Sequence, residues 1–173
     1  MSDLKRKRLK QNAAQPYELE VDIQYSSTLS THARELLKPI LSKSNVRRWA
    51  TWAIDPETAH LQEITLRIVD KKEGLSLNNQ FRGRAYATNI LTFNDSDLSN
   101  TQSDLLMCAP VVIEDAKLMG VALKAHCAHL LIHAVLHAQG YDHEAGPQQE
   151  LVMESLESFL MMSLGFGNPY LEC

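Results

Sequence analysis

The segment His133-Ala134-Val135-Leu136-His137-Ala138-Gln139-Gly140-Tyr141-Asp142-His143 carries three imidazoles at a spacing that one metal ion can satisfy. Residues four apart on an α-helix stack one turn above the other, so His133 and His137 share a face. Gly140 supplies the left-handed backbone at which such a helix can stop. The chain can then fold back and bring His143 to the same ion from outside the helix. Neutral imidazole suits zinc at about 2.0–2.1 Å, and three protein ligands leave a tetrahedral ion one position for water. That is a catalytic rather than a structural arrangement. No second cysteine–histidine cluster competes for the ion.

The spacing H-x-x-x-H-x-x-G-x-x-H is also that of metzincin peptidases, which place glutamate directly after the first histidine as general base. Here that position is Ala134. Alanine cannot accept a proton, so the metal geometry is expected without the peptidase base. His129, His133 and His137 would span about 12 Å of helix axis, too far to meet at one ion. His129 therefore reads in two ways: a residue of the cleft that holds water or touches substrate, or a hydrogen-bonded core histidine. His126 is expected in the core. Asp142 either orients a ligand imidazole through its other N–H or stabilises the turn. Tyr141 is expected to pack.

The elements that must position these residues follow from periodicity. Leu19, Val21, Ile23 and Tyr25 alternate with polar residues, as in a half-buried strand. A helix is expected from Ser30, interrupted or ended by Pro39. A second would run over residues 46–53, capped by Asn45, with Trp49, Trp52 and Ala53 on a core face. Ile64, Leu66 and Ile68 mark another strand. Residues 71–80 read as a short helix or turn, and residues 90–93 as a third strand. A fourth is expected from Leu105 to Ile113, broken near Pro110. The apolar run from Gly120 to Ala138 reads as a long buried helix with the histidines near its end. A last amphipathic helix is expected over 148–164, turning Leu151, Met153, Leu156, Phe159 and Leu160 inward. The sum is an α+β domain, a small mixed four-stranded sheet flanked by helices.

Composition narrows the class. A chain of 173 residues is expected to form one domain with a real core, here over residues 17–173. No run of about 18 apolar residues occurs, so no membrane span is expected. Lys5, Arg6, Lys7, Arg8 and Lys10 make residues 1–16 a basic leader, but no apolar signal core follows them. That leader reads equally as a solvated disordered tail or as a nucleic-acid contact. Three cysteines, Cys108, Cys127 and Cys173, without paired spacing fit reduced thiols in a cytoplasm. The net charge of −4 divides into +5 over residues 1–84 and −9 over residues 85–173. A polyanionic substrate would be gripped mainly by the first half, whereas the histidines lie in the acidic half.

From Leu77 onward the sequence resembles the YbeY family of bacterial endoribonucleases and ribosomal RNA maturation factors. The resemblance rests on four stretches. His126-x-x-His129-x-x-x-His133-x-x-x-His137-x-x-Gly140-Tyr141-Asp142-His143 looks like the family's metal motif. Leu77-Asn78-x-x-Phe81-Arg82 followed by Thr88-Asn89-Ile90-Leu91-Thr92-Phe93 looks like its arginine segment. Asp104-Leu105 resembles its Gly-Asp-Ile strand entry, and Gly165-Phe166-x-Asn168-Pro169-Tyr170 its ending. Ala85, Ala87 and Ser103 stand where the family usually has aspartate, proline and glycine.

The resemblance implies a zincin-like α+β fold and a zinc-dependent endoribonuclease that favours single-stranded RNA. It implies a role in maturing the 3′ end of 16S ribosomal RNA and in ribosome quality control. The implied partners are the small ribosomal subunit and its assembly proteins. On this reading His133, His137 and His143 bind zinc, and Arg82 contacts the scissile phosphate, with Arg84 nearby as a second guanidinium. The planar donor fork of arginine fits phosphate oxygens. The general base stays open, as does the choice between attack by water and attack by an RNA 2′-hydroxyl. Two other classes stay open as well: a metal-stabilised assembly factor without activity, and a metallohydrolase of another substrate class.

Overall fold

A computed structural model describes residues 18–55, 61–94, 101–143 and 146–171. The basic leader and Cys173 lie outside the described residues. Among the described residues, four strands and six helices follow one another as β1 (Glu20–Tyr25), α1 (Thr31–Leu37), α2 (Lys43–Ala53), β2 (Glu63–Val69), α3 (Lys71–Arg82), β3 (Ile90–Asn94), β4 (Gln102–Cys108), α4 (Ala109–Leu118), α5 (Leu123–Ala138) and α6 (Pro147–Ser163). The strands form one mixed sheet in the order β1-β2-β4-β3. The pairs β1–β2 and β2–β4 are parallel, and β3 runs antiparallel at the edge, with Ile90 opposite Met107 and Thr92 opposite Leu105.

The two faces of the sheet are covered differently, as the period of two requires. Leu105 and Met107 of β4 join the main core with α2, α5 and α6. Leu106 and Cys108 face the other way, into a smaller cluster with Val69, Leu91 and Leu77 of α3. Gly74 lets α3 approach this face closely: a Cβ there would lie 3.1 Å from Cys108 Sγ.

The central element is α5. Ten of its sixteen residues are buried, so it lacks the single apolar stripe of a surface helix and is packed on several sides. Leu131, Ile132 and Leu136 each remove their side chains from water almost wholly, worth about 1.5–3 kcal/mol apiece. This burial fixes the rotation of the helix and so the direction in which its histidines point.

Several expected boundaries move. The fourth strand does not extend to Ile113: it stops at Cys108, and Ala109 begins a helix with Pro110 in its first turn. Proline there loses no hydrogen bond, because first-turn N–H groups have no intrahelical partner. The β-branched run Val111–Ile113 is therefore helical. The buried helix begins at Leu123 rather than Gly120, which has φ 66° and ends α4. The cap of α2 is Ser42, whose side chain accepts from the Asn45 N–H, so Asn45 lies within the helix. In α6, Met153, Leu156 and Leu160 are buried, but Leu151 is 66% exposed because it lies in the first turns, ahead of the core contact.

Candidate metal centre

The helix carrying His133 and His137 ends through a specific turn. The Gly140 N–H donates to the His137 carbonyl (2.9 Å) and the Tyr141 N–H to the Leu136 carbonyl (3.2 Å), the paired bonds of a Schellman cap. Gly140 has φ 87°. Gln139 anchors this turn to the end of α2: its Oε1 accepts from the Asp55 N–H (2.7 Å), and its Nε2 donates to the Ala53 and Val135 carbonyls. Sequence reasoning gave Gln139 no role, although it sets where the returning chain places His143.

The returning chain brings the three rings together. Ring centroids lie 4.5 Å apart for His133–His137, 5.3 Å for His133–His143 and 5.1 Å for His137–His143. One ring nitrogen from each falls within 4.8 Å of the others, so the group can hold a metal ion. Tetrahedral ligands at about 2.05 Å stand about 3.3 Å apart, so only small ring movements separate this arrangement from closure on zinc. Burial, and then the charges of His133 and His143, push the His137 pKa below its ordinary value, against Asp142 and the Tyr141 backbone. A ring kept neutral keeps a lone pair available to a cation.

A carboxylate that sequence reasoning missed organises this group. Glu157 of α6 is 0% exposed. Its Oε2 lies 2.8 Å from His129 Nε2 and its Oε1 2.9 Å from His133 Nδ1. Tyr170 Oη also hydrogen-bonds Oε2. Burial alone would raise the Glu157 pKa, but the bonds from His129 and His133, the His133 charge and the Tyr170 hydroxyl outweigh it and hold it at about 2. An ionised carboxylate only accepts, so all three partners must donate. With a cation at Nε2 the His133 ring would be neutral, and this hydrogen bond would then keep its one proton on Nδ1. The sequence did carry one signal: Glu157 shares the inward stripe of Met153, Leu156 and Leu160, where a lone charge is costly unless paired.

The other singled-out residues are placed as follows. His129 belongs to the Glu157 network and not to the three-histidine group. His126 is buried beside Asp115 (4.0 Å), and its Nε2 has no hydrogen-bond partner among the described residues. Tyr141 packs against the main core. Ala134 is fully buried, and its carbonyl accepts from Thr92 Oγ1 (3.3 Å), tying α5 to the edge strand.

Asp142, Arg82 and Arg84 line the same cleft of about 550 Å³ as the three histidines. Arg82 is the last residue of α3, which stops at Gly83 with φ 65°. The Phe81 ring meets Phe93 of β3 edge-on at 4.9 Å, pinning this helix end to the sheet. Beyond it, the buried Asn78 donates to the Tyr86 carbonyl (2.7 Å), and Arg84 Nη1 donates to Tyr86 Oη (3.1 Å). Tyr86, also missed, lines the cleft and is 51% exposed. One cleft is thus lined by three imidazoles, a carboxylate, two guanidiniums and an exposed aromatic ring. Such a lining has donors for a cation and cations for a phosphodiester.

A family model described as Endoribonuclease YbeY matches residues 15–165. A relative from Polaromonas sp. (strain JS666 / ATCC BAA-500) bearing that name is 49% identical over 130 residues, covering 75% of this chain and 82% of its own. Another, from Albidiferax ferrireducens, is 45% identical over 148 residues, covering 83% and 97%. The solution structure of TM1509 from Thermotoga maritima covers 87% of this chain and 99% of its own, at 20% identity and a TM-score of 0.45.

Proposed function

The chain belongs to the endoribonuclease YbeY family, and from that membership we propose that it cleaves single-stranded RNA with a zinc ion held by His133, His137 and His143. It is a hydrolase acting on RNA. The proposed setting is the cytoplasm, in maturation of the 16S ribosomal RNA 3′ end and in ribosome quality control, with the small subunit and its assembly proteins as partners. No single helix among the described residues is long and apolar enough to cross a membrane. Residues 17–173 are the proposed catalytic domain, and the basic residues 1–16 an arm that attracts the RNA backbone.

The observation that carries this reading is the convergence of three imidazole nitrogens on a cleft that Arg82 also lines. Imidazole donors favour zinc over magnesium or calcium, which take oxygen ligands. A zinc ion there supplies Lewis-acid chemistry at a phosphoryl oxygen and makes water acidic enough to ionise near neutral pH. The residues do the rest. Glu157 fixes the tautomer of His133. Arg82 offers two parallel N–H donors to the scissile phosphate and offsets charge that develops as the bond breaks, and Arg84 holds a neighbouring phosphate.

Glu157 does not replace the missing base at Ala134: it is out of solvent and both its oxygens are committed. Among the described residues Asp142 is the carboxylate that lines the cleft, and we assign it the role of accepting a proton. Tyr86 offers an exposed π-face to a base. Stacking of this kind requires a base already out of a duplex, which accounts for a single-strand preference.

The test is cleavage of matched single-stranded and duplex RNA by the purified chain, with metal content measured on the same samples. Single-strand cleavage lost in His137→Ala together with zinc, and lost in Arg82→Ala with zinc retained, supports the reading. An inactive chain that holds zinc tightly and binds ribosomal RNA would identify an assembly factor instead. Cleavage of unstructured peptide but not of RNA would identify another hydrolase class.

A further inference from the structure

The C-terminal stretch Gly165–Tyr170 meets the site described above through the Tyr170 hydroxyl, and it is built in detail. The Gly165 N–H donates to the Met162 carbonyl (3.1 Å) and the Phe166 N–H to the Met161 carbonyl (2.9 Å), so α6 ends in the same paired cap as α5. Phe166 packs edge-on against the buried Trp49 at 6.0 Å. Asn168 then makes a tight turn: its Oδ1 accepts from the Tyr170 N–H (2.9 Å) and from Ser158 Oγ (3.0 Å). Ser158 directly follows Glu157. The turn therefore returns the chain to the level of the helix from which the buried carboxylate projects, and Tyr170 Oη reaches that carboxylate. The Tyr170 ring also meets His129 edge-on at 5.5 Å.

We propose that this turn is a working part of the metal centre, with Asn168 and Tyr170 as positioning residues that act on His133 through Glu157. The reasoning runs through the number of donors the carboxylate holds. Glu157 is shut off from bulk solvent, and His129 and His133 each take one of its oxygens. Two imidazole bonds alone leave the carboxylate free to shift along the line joining one helical turn to the next. The tyrosine hydroxyl supplies a third bond from a separate segment and fixes the carboxylate in place. A fixed Oε1 holds the His133 ring in one tautomer and one orientation, with Nε2 presented to the ion. Residues in this outer position weaken metal binding by about 10–100-fold when removed. Tyr170 acts at one further remove, so about tenfold is expected from it.

This proposal rests on the metal reading given above, and two measurements keep them apart. The first is zinc affinity of the full chain by chelator competition, for the unaltered protein, Tyr170→Phe, Asn168→Ala and the double variant. Tyr170→Phe should weaken binding about tenfold, and Asn168→Ala, which acts through Tyr170, measurably but by no more than that. The double should weaken it no more than the stronger single, because both act on one carboxylate. The second is the nitrogen NMR signature of His133 in the metal-free chain. A single Nδ1–H form is expected in the unaltered protein and a mixture of tautomers in Tyr170→Phe, which keeps the ring and its packing. Unchanged affinity together with an unchanged His133 signature in both single variants would overturn the proposal. A chain that takes up no zinc would sink the metal reading instead, and the metal-free signature would still decide the role of the turn.

Discussion

Replacing Glu157 with glutamine removes one charge from the most buried polar group of the site while keeping its shape. A carboxyl held at about 2 instead of its ordinary 4.5 contributes about 3 kcal/mol to folding at neutral pH. The sign follows from the direction of the shift. A depressed carboxyl stabilises the fold above its ordinary value, and that stability drains away as pH falls toward the folded value. About 2 kcal/mol of it is gone by pH 3. In Glu157→Gln the amide nitrogen also faces at least one N–H or O–H donor, leaving a buried donor unpaired. Loss of about 3 kcal/mol or more at pH 7 is expected, lowering Tm by about 6–12 °C for a chain of this size. Urea unfolding of the metal-free proteins at pH 7, 5 and 3, followed by circular dichroism, reads this directly. The gap between the two proteins should be constant from pH 7 to 5 and shrink by about 2 kcal/mol at pH 3. A gap of the same size at all three values would refute the reasoning, because it would mean that Glu157 is not an ionised, hydrogen-bonded carboxylate in the fold.

The remaining predictions concern the cleft and its supports. His137 is pushed below its ordinary 6.5, so the metal-free chain should lose stability as pH falls below that value, and His137→Ala should flatten the loss in thermal melts between pH 7 and 5. Tyr86→Ala should raise KM for single-stranded RNA by about tenfold, the lower range of one lost base stack, with kcat little changed in initial-rate measurements. Deleting residues 1–16 should reduce the salt dependence of RNA binding by up to about 3.5 in log–log slope if all five leader cations contact phosphates; an unchanged slope in filter-binding titrations would return the leader to a passive tail. Gly140→Ala forces a side chain into φ 87° and should cost about 1–2 kcal/mol, seen as a lower Tm and weaker zinc uptake together.

Most of the fold was legible because it is written in local periods. Val21 and Ile23 and the stretch Ile64 to Ile68 alternate as strands do, Ile90 to Phe93 is a short strand-forming run, and Ser30 and Pro39 bracket α1 by short-range chemistry alone. The failures share one cause. Val111–Ile113 has the residue types of a strand, and only the packing of Val112 in the core decides for helix after Pro110. Leu151 has the spacing of a core residue, but α6 meets the core only from Met153 onward. Tertiary contact overrode local preference in both places.

The site divides along the same line, and the division has a physical reason. Two of its histidines share a helix face and the third follows a glycine stop, so their convergence depends on geometry spanning eleven residues. The group that organises His133 comes instead from Glu157 on the next helix, and the group that holds Glu157 comes from Tyr170 beyond that helix. Neither has a period or a motif that points at a metal, because each acts on the donor rather than on the ion. A lone glutamate on an apolar stripe is the only trace such a residue leaves. Its cost of burial must be offset by donors, so searching the fold for those donors leads from Glu157 to His133 in one step and to the C-terminal turn in the next. The same argument explains why Arg82 stood out only through resemblance. A guanidinium at a helix end looks like any solvated surface charge until Gly83, Asn78 and the Phe81–Phe93 contact are seen to hold that end beside the cleft.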